Sequence, residues 1–328
     1  MALLFFYLFL ALGVSFLCSI LEAVLLSISP SYISLMENKG GQAGARLKRL
    51  KDDVDRPLSA LLSLNTIAHT IGAAGVGAQS QAVFGNGYNS EGRSASLHIV
   101  RMADGIPVRS AIDTNSAPVA DAYPNGLSEV TPIDVDGDFI IDYVYAGDLY
   151  GNMWRFDLTS KSTSEWSVTK LFTARGPGGS VQPITMAPQV GVHPYGPGYG
   201  VMVYFGTGKY LEKTDALFNA DANNTFYGVW DADVFSYRES SAAKKPSPSA
   251  NFTRANLQQQ TVTNVKSGDT TYRVVSDNPV SYDTGSSGGD GQRGWYMDMP
   301  SGSGELLINT PTLVGDLVVF TTLVPPEQ

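Results

Sequence analysis

Asp134-Val135-Asp136-Gly137-Asp138-Phe139-Ile140-Ile141-Asp142, followed at once by Tyr143-Val144-Tyr145-Ala146-Gly147-Asp148, decides how the second half of this chain is read. Carboxylates stand at positions one, three, five and nine of a nine-residue run, and position seven offers the backbone carbonyl of Ile140. That is the ligand spacing of a calcium loop. Aspartates brought that close repel one another unless a divalent cation sits among them. Ca²⁺ suits the set better than Mg²⁺, because it accepts irregular shells of oxygen ligands while Mg²⁺ holds on to its waters. The loop is not half of a helix-loop-helix hand: position six is Phe139 rather than Gly, position twelve is Tyr145 rather than Glu, and β-patterned sequence follows directly. Asp134, Asp136, Asp138, Asp142 and the Ile140 carbonyl are therefore the candidate metal ligands, with Ca²⁺ the expected ion.

The sequence beyond the loop keeps the same β character. Asn152-Met153-Trp154-Arg155-Phe156-Asp157, Val201-Met202-Val203-Tyr204-Phe205-Gly206, Thr225-Phe226-Tyr227-Gly228-Val229-Trp230-Asp231 and Gly294-Trp295-Tyr296-Met297-Asp298 are strand-like runs bounded by glycine turns. Irregular β repeats of this kind read as propeller blades, and at about 40 to 50 residues per blade the span after residue 85 holds at most about five. A stretch from about 240 to 292, rich in Ser, Lys, Pro, Asn, Gly and Gln, reads as a flexible insertion whose ends are surface loop or partly disordered.

The chain opens differently. Residues 2–28 are almost continuous hydrocarbon with Glu22 the single charge, enough to cross a bilayer core of about 30 Å. No basic leader and no small-residue cleavage site accompany the run, so an uncleaved helix is expected rather than a signal peptide. Residues 31–56 are polar and basic, which places this short loop on the cytoplasmic side. A second, weaker apolar stretch runs from 57 to about 83, interrupted by Asn65, Thr66, His69, Thr70 and Gln79. If both cross, the remainder lies outside the inner membrane, facing the periplasm or cell surface, where calcium is abundant.

The whole chain has 328 residues and a net charge of -9, which argues against nucleic acid as a partner. One cysteine, Cys18, permits no internal disulfide. The three histidines, at 69, 98 and 193, lie too far apart in sequence to suggest a metal site. No catalysis is expected.

Two resemblances divide the chain. Cys18-Ser19-Ile20-Leu21-Glu22-Ala23 and Leu64-Asn65-Thr66-Ile67-Ala68-His69 resemble the start of the cyclin M/CorC membrane domain, a family of Mg²⁺-linked ion transporters. That likeness covers residues 1–84 and implies Ser19, Glu22, Ser27 and Asn65 as a membrane ion site; the family's third helix and cytoplasmic domains have no counterpart here. Residues 82–325 resemble the C-terminal β-propeller of the PilY family of type IV pilus biogenesis and tip proteins. The likeness rests on Phe84-Gly85-Asn86-Gly87-Tyr88, the Asp134 loop with Gly147-Asp148-Leu149-Tyr150-Gly151-Asn152-Met153-Trp154-Arg155, Val203-Tyr204-Phe205-Gly206-Thr207-Gly208, Phe226-Tyr227-Gly228-Val229-Trp230-Asp231 and Arg293-Gly294-Trp295-Tyr296. It implies a calcium-bound propeller acting in pilus extension, retraction and surface attachment, with pilus components or surface ligands as partners. The large N-terminal adhesive region of that family has no counterpart here, and more propeller is expected beyond residue 328. The expected architecture is thus a fusion: transmembrane α-helices over 1–84, then an all-β partial propeller over 85–328. A truncated ion transporter and a quinoprotein-like propeller enzyme, whose blades carry similar Gly-x-x-Trp endings, are the alternatives.

Overall fold

The computed structural model describes residues 2–38, 42–77, 80–88, 94–116, 124–234, 252–268, 270–282 and 291–326. They fall into two compact units, Met1–Ala82 with Val100–Pro107, and Val83–Ile99 with Val108–Gln328.

The first unit is helical. α1 (Ala2–Ser27) packs against α4 (Asp55–Gly77), with α2 (Pro30–Asn38) and α3 (Gln42–Asp52) between them in sequence. Among the described side chains of α1, Ala11, Cys18 and Leu25 are buried. Their seven-residue spacing returns each to the same face of a helix, which makes the stripe that meets α4. Most other large apolar residues of α1 stay exposed, Phe6, Phe9, Phe16 and Leu17 among them. Lys51, in the last turn of α3, donates through Nζ to the carbonyls of Leu25 and Leu26 at 3.1 Å each, satisfying acceptors that the end of α1 would leave open. Among the described residues, Phe5–Ser27 is the one stretch long and apolar enough to cross a membrane, while α4 carries a shorter apolar segment, Pro57–Ala68. The second apolar stretch ends earlier than residue 83: α4 stops at Gly77, and strand begins at Gln81.

The second unit is built from stacked antiparallel sheets. The first has the order β1-β2-β3, with β1 at Gln81–Gly85, β2 at Ser96–Arg101 and β3 at Ile112–Asp113. Next comes a four-stranded meander, β4 (Leu127–Ile133), β5 (Tyr143–Asp148), β6 (Asn152–Asp157) and β7 (Ser167–Thr173), each strand hydrogen-bonded to the next. This is the form of a propeller blade. A second blade follows: β8 (Gln189–Val192), β9 (Val201–Gly206), β10 (Thr225–Asp231) and, after a long excursion, β14 (Gly294–Asp298). The described residues of the excursion include β11 (Gln258–Gln260), which pairs parallel to β14, and the hairpin of β12 (Val262–Ser267) with β13 (Thr270–Val275). A last hairpin joins β15 (Thr312–Val314) to β16 (Leu317–Val319). The sheets do not close into a ring among the described residues, so the propeller is partial.

Strand alternation stacks the blades. On β5, Tyr143 and Tyr145 enter a core shared with Val203, Phe205, Tyr227 and Val229 of the second blade, whereas Val144 and Ala146 enter the core formed with Leu97, Ile99 and Ile112 of the first sheet. On β10, Tyr227 faces the first of these cores while Phe226 faces a third, with Met297 and Leu307. Both strands are buried along their whole length, because a two-residue period between two covered faces leaves no side for water. The blades approach closely at Gly147, where a Cβ would lie 2.2 Å from Ile184 Cγ2.

Polar groups tie these layers together. Asp231 is 1% exposed; it accepts from Tyr145 Oη at 2.8 Å and from Arg155 Nη1 at 2.7 Å, binding the middle strands of one blade to the next. Asp148 is wholly buried and accepts from five donor groups: the backbone N–H of Tyr150 and Asn152, Nδ2 of Asn125 and Asn152, and Trp154 Nε1. Replacing Asp148 with Ala would strand several buried donors, each loss being worth about 1 to 3 kcal/mol. Chemical denaturation of the full chain followed by tryptophan fluorescence should accordingly show Asp148→Ala unfolding at much lower denaturant than the parent, or failing to reach the native baseline. A variant within about 0.5 kcal/mol of the parent would contradict the structural role assigned to this carboxylate.

Candidate metal centre

The loop between β4 and β5 is shaped by its own carboxylates. Asp134 accepts from the N–H of Gly137 through Oδ1 at 2.7 Å and of Phe139 through Oδ2 at 2.8 Å. Asp136 Oδ1 accepts from Asp138 N at 3.0 Å, and Asp138 Oδ1 from Ile140 N at 2.7 Å. These are the local turns that short acidic side chains make with the backbone two or more residues on. They wind the chain tightly enough that Gly137 takes φ 77° and Phe139 φ 66°. Glycine tolerates that region freely; a phenylalanine there is strained.

Among the described residues, Asp134, Asp136 and Asp138 form the one group of three or more His, Cys, Asp or Glu residues with potential ligand atoms all within 4.8 Å of one another, and all three are exposed. Asp142 does not join that group. It is buried at the start of β5, where Oδ2 accepts from the Val135 N–H at 2.8 Å, closing the loop on itself. Ile140 is exposed. The donor set is hard oxygen throughout and fits a calcium ion.

Electrostatics separate the two ends of the loop. For Asp134, slight desolvation is the largest single influence and raises its pKa, but the N–H groups of Phe139 and Gly137, with those of Asp138 and Asp136, outweigh it and hold the carboxyl below its usual range. Asp142 is pushed up, first by burial, against the pull of the Val135 N–H, and then by the negative charges of Asp136, Asp134 and Asp138.

The residues expected to form a membrane ion site lie on α1 and α4. Ser19 Oγ donates to Ser15 O at 3.0 Å and Ser27 Oγ to Val24 O at 3.3 Å, both turned onto their own helix and exposed. Glu22 is half-buried on α1. Asn65, on α4, has a buried Oδ1 with no hydrogen-bond partner. His69 has a side chain outside the described residues. His98 stacks on Phe84 with its Nε2 3.3 Å from Ser96 Oγ. His193 is 2% exposed and enclosed by Tyr195, Tyr199, Trp230 and Tyr282, with burial holding its pKa down at about 4. Neither described histidine lies with acidic partners in a metal-binding group. Sequence reading gave no role to Asp148 or Asp231. The one signal available for them was an aspartate closing an aromatic-rich strand, as in Trp230-Asp231.

Comparison with known proteins bears on what this loop belongs to. The family model described as the PilY1 beta-propeller domain matches residues 65–276. The chain belongs to that family. The Cyclin M transmembrane N-terminal domain matches residues 6–103, so the helical start and the propeller carry two different likenesses, and the chain is a fusion of the two. Among the relatives, a type IV pilus biogenesis factor PilY1 homolog of Xylella fastidiosa is 36% identical over 264 residues, covering 74% of this chain and 16% of its own. PilY1 of Pseudomonas aeruginosa strain PAK is 34% identical over 274 residues, covering 75% and 22%. The crystal structure of the Pseudomonas aeruginosa PilY1 C-terminal domain superposes with a TM-score of 0.61 at 34% identity, over 75% of this chain and 53% of that one. The chain thus spans about a fifth of the length of these two curated relatives.

The raised pKa of Asp142 fixes the sign of a pH effect. A folded-state pKa above the unfolded one means that the native loop holds this proton more tightly, so metal-free stability declines as pH rises from the ordinary carboxylate value through the raised one. Asp142→Asn keeps an acceptor for Val135 N–H and removes the titration. In chelator, its thermal midpoint relative to the parent should therefore climb as pH rises above the ordinary carboxylate range. A constant difference between the two proteins would contradict the assignment.

Proposed function

We propose that residues 85–328 form a calcium-binding, non-catalytic propeller module of type IV pilus biogenesis, acting in pilus-dependent motility and surface adhesion. The observation that carries this reading is the convergence of Asp134, Asp136 and Asp138 at the entry to a blade strand, in a chain of the PilY1 beta-propeller family. The three carboxylates would hold the ion, the Ile140 carbonyl would add an oxygen, and Asp142 would support the loop from the strand side. A bound Ca²⁺ would supply charge neutralisation and rigidity to a loop that otherwise concentrates repulsion. α1 would tether the module to the inner membrane, with the propeller facing the periplasm or cell surface; its apolar length and the cyclin M likeness support this. Partners would be pilus components or surface ligands. The naming of the relatives as pilus biogenesis factors supports that choice and the absence of an enzymatic role.

Calorimetric titration of the full chain in detergent should show saturable Ca²⁺ binding in the ~micromolar to millimolar range. Asp136→Ala and Asp138→Ala should each weaken it by about tenfold or more, since each removes a charged ligand. Absence of binding at millimolar calcium in a folded parent would overturn the reading.

A second reading, a remnant of a Mg²⁺-linked membrane transporter, is favoured by one observation: the buried, unpartnered Oδ1 of Asn65 on α4. An unsatisfied buried acceptor is costly and marks a place where a cation or water can bind. Under that reading, Mg²⁺ should raise the thermal midpoint of the full chain, and Asn65→Ala or Glu22→Gln should abolish the rise while leaving calcium binding intact. Equal midpoints with and without Mg²⁺ would remove it.

A further inference from the structure

β9 and β10 are antiparallel neighbours, with Gly206 opposite Phe226, so a turn of about two to five residues would join them. The chain instead runs from residue 207 to 224 between them, through a short 3₁₀ helix at Lys213–Ala216. This long connection is ordered by its own side chains: Asp215 Oδ2 accepts from Leu211 N and Glu212 N at 2.9 Å each, while Oδ1 lies 3.5 Å from Lys209 Nζ. It is also tied to its surroundings. Gly208 N donates to Pro183 O at 2.9 Å, Thr185 Oγ1 to Gly208 O at 2.9 Å, and Gln182 Nε2 to Asn223 O. Phe218 lies over Gly304, where a Cβ would be 2.6 Å from Phe218 Cε2. A connection this long, built to one shape, is more than a strand reversal requires.

These segments enclose a cleft of about 340 Å³, at the small end of the range for pockets that hold one small molecule. Three planar polar side chains line it, Asn219, Asp221 and Asn223, with alanines between them in sequence. Asn219 Oδ1 accepts from Asp221 N at 2.9 Å, and Asn223 Nδ2 donates to Asp221 O at 3.0 Å. Those two bonds close the turn. They leave Asn219 Nδ2, Asn223 Oδ1 and the Asp221 carboxylate without a partner among the described residues. Val181 and Leu217, 47% and 45% exposed, bring apolar surface to the same cleft.

The lining discriminates among ligands. Its charged residues are Lys209, Asp215 and Asp221, which sum to a negative charge, so phosphate, a carboxylate or an acidic sugar would be repelled. A divalent cation would find a single disengaged carboxylate, that of Asp221, because Asp215 already serves two backbone N–H groups and Lys209; calcium is held through several such oxygens. A wholly apolar ligand would strip water from the Asp221 carboxylate and give it no partner. A neutral sugar ring meets every condition. Adjacent hydroxyls can donate to the carboxylate and exchange hydrogen bonds with the two amides, and the C–H face of the ring can lie on aliphatic side chains.

We propose that the cleft beside the 207–224 connection binds a neutral pyranose, with Asn219, Asp221 and Asn223 taking its hydroxyls and Val181 and Leu217 meeting its apolar face. This goes beyond the calcium reading: the residues are different ones, and neither site needs the other to be occupied.

The test presents glucose, galactose, mannose and N-acetylglucosamine to the full chain in phosphatidylcholine nanodiscs, since detergents with sugar headgroups would compete. N-acetylneuraminic acid and inorganic phosphate are the anionic controls. Saturation-transfer NMR and calorimetry should show saturable binding of at least one neutral sugar in the ~millimolar range, and of neither anion. Asp221→Ala removes a charged acceptor and Ala222→Phe fills the cleft; each should weaken binding about tenfold or more, with the thermal midpoint and the calcium isotherm unchanged. Asp221→Ala alone decides if the bulkier variant does not fold. Lack of saturation by all four sugars, undiminished affinity in Asp221→Ala, or equal binding of the anions would overturn the inference. Calcium titration of the same sample scores the acidic loop separately, so either reading can fail while the other stands.

Discussion

A carboxylate sealed from water must find all its hydrogen bonds inside the protein, and Asp148 meets that demand with five donor groups. Its donors come from the turn after β5, from the start of β6, and from Asn125 just ahead of β4. One buried charge therefore fixes the relative positions of three strands of a blade. Removing water makes each of these bonds stronger and makes any omission expensive. The geometry of the first blade follows from satisfying Asp148, and the loop at the other end of β5 inherits that geometry.

The same logic operates between blades. Asp231, on the second blade, is neutralised and oriented by Tyr145 and Arg155 of the first. Around it, the alternating residues of β5 and β10 divide themselves among three apolar cores. A central blade strand has no solvent face, so each blade needs a neighbour on both sides. Among the described residues, the hairpin β15-β16 has Val314, Leu317 and Val319 left exposed. Propellers solve this by closing; an open stack leaves apolar surface and strand edges available.

Against this rigid frame, the acidic loop is where the structure accepts local conflict. Three exposed carboxylates crowd together and a phenylalanine takes a left-handed backbone angle, all held by short Asx-type turns. Strain of this kind persists because the ladder on either side of the loop is fixed: Asp142 N donates to Ile133 O at 2.9 Å, and Leu158 N to Asp142 O at 2.8 Å. The scaffold determines where the loop starts and ends, and the loop's own side chains determine its path.

The sequence by itself determined what depends on neighbours along the chain. Hydrocarbon from residue 2 to 28 is a helix wherever it is placed, the two-residue alternation of β5 and β10 names strands, and the aspartate spacing from 134 to 138 names an oxygen-rich loop, because the turns that gather those carboxylates are local. Tertiary structure decided the rest. Asp142 belongs to the spacing pattern but is taken by the Val135 N–H, since strand pairing carries it inward. Asp148 and Asp231 look in sequence like ordinary turn aspartates, and only the meeting of distant strands makes them buried anchors. The inserted segment contains β11, whose Gln-rich sequence carries no apolar period and which is a strand because β14 offers it an edge. Side-chain periodicity is a local property and is legible; pairing partners and burial are set by residues tens of positions away, and they are not.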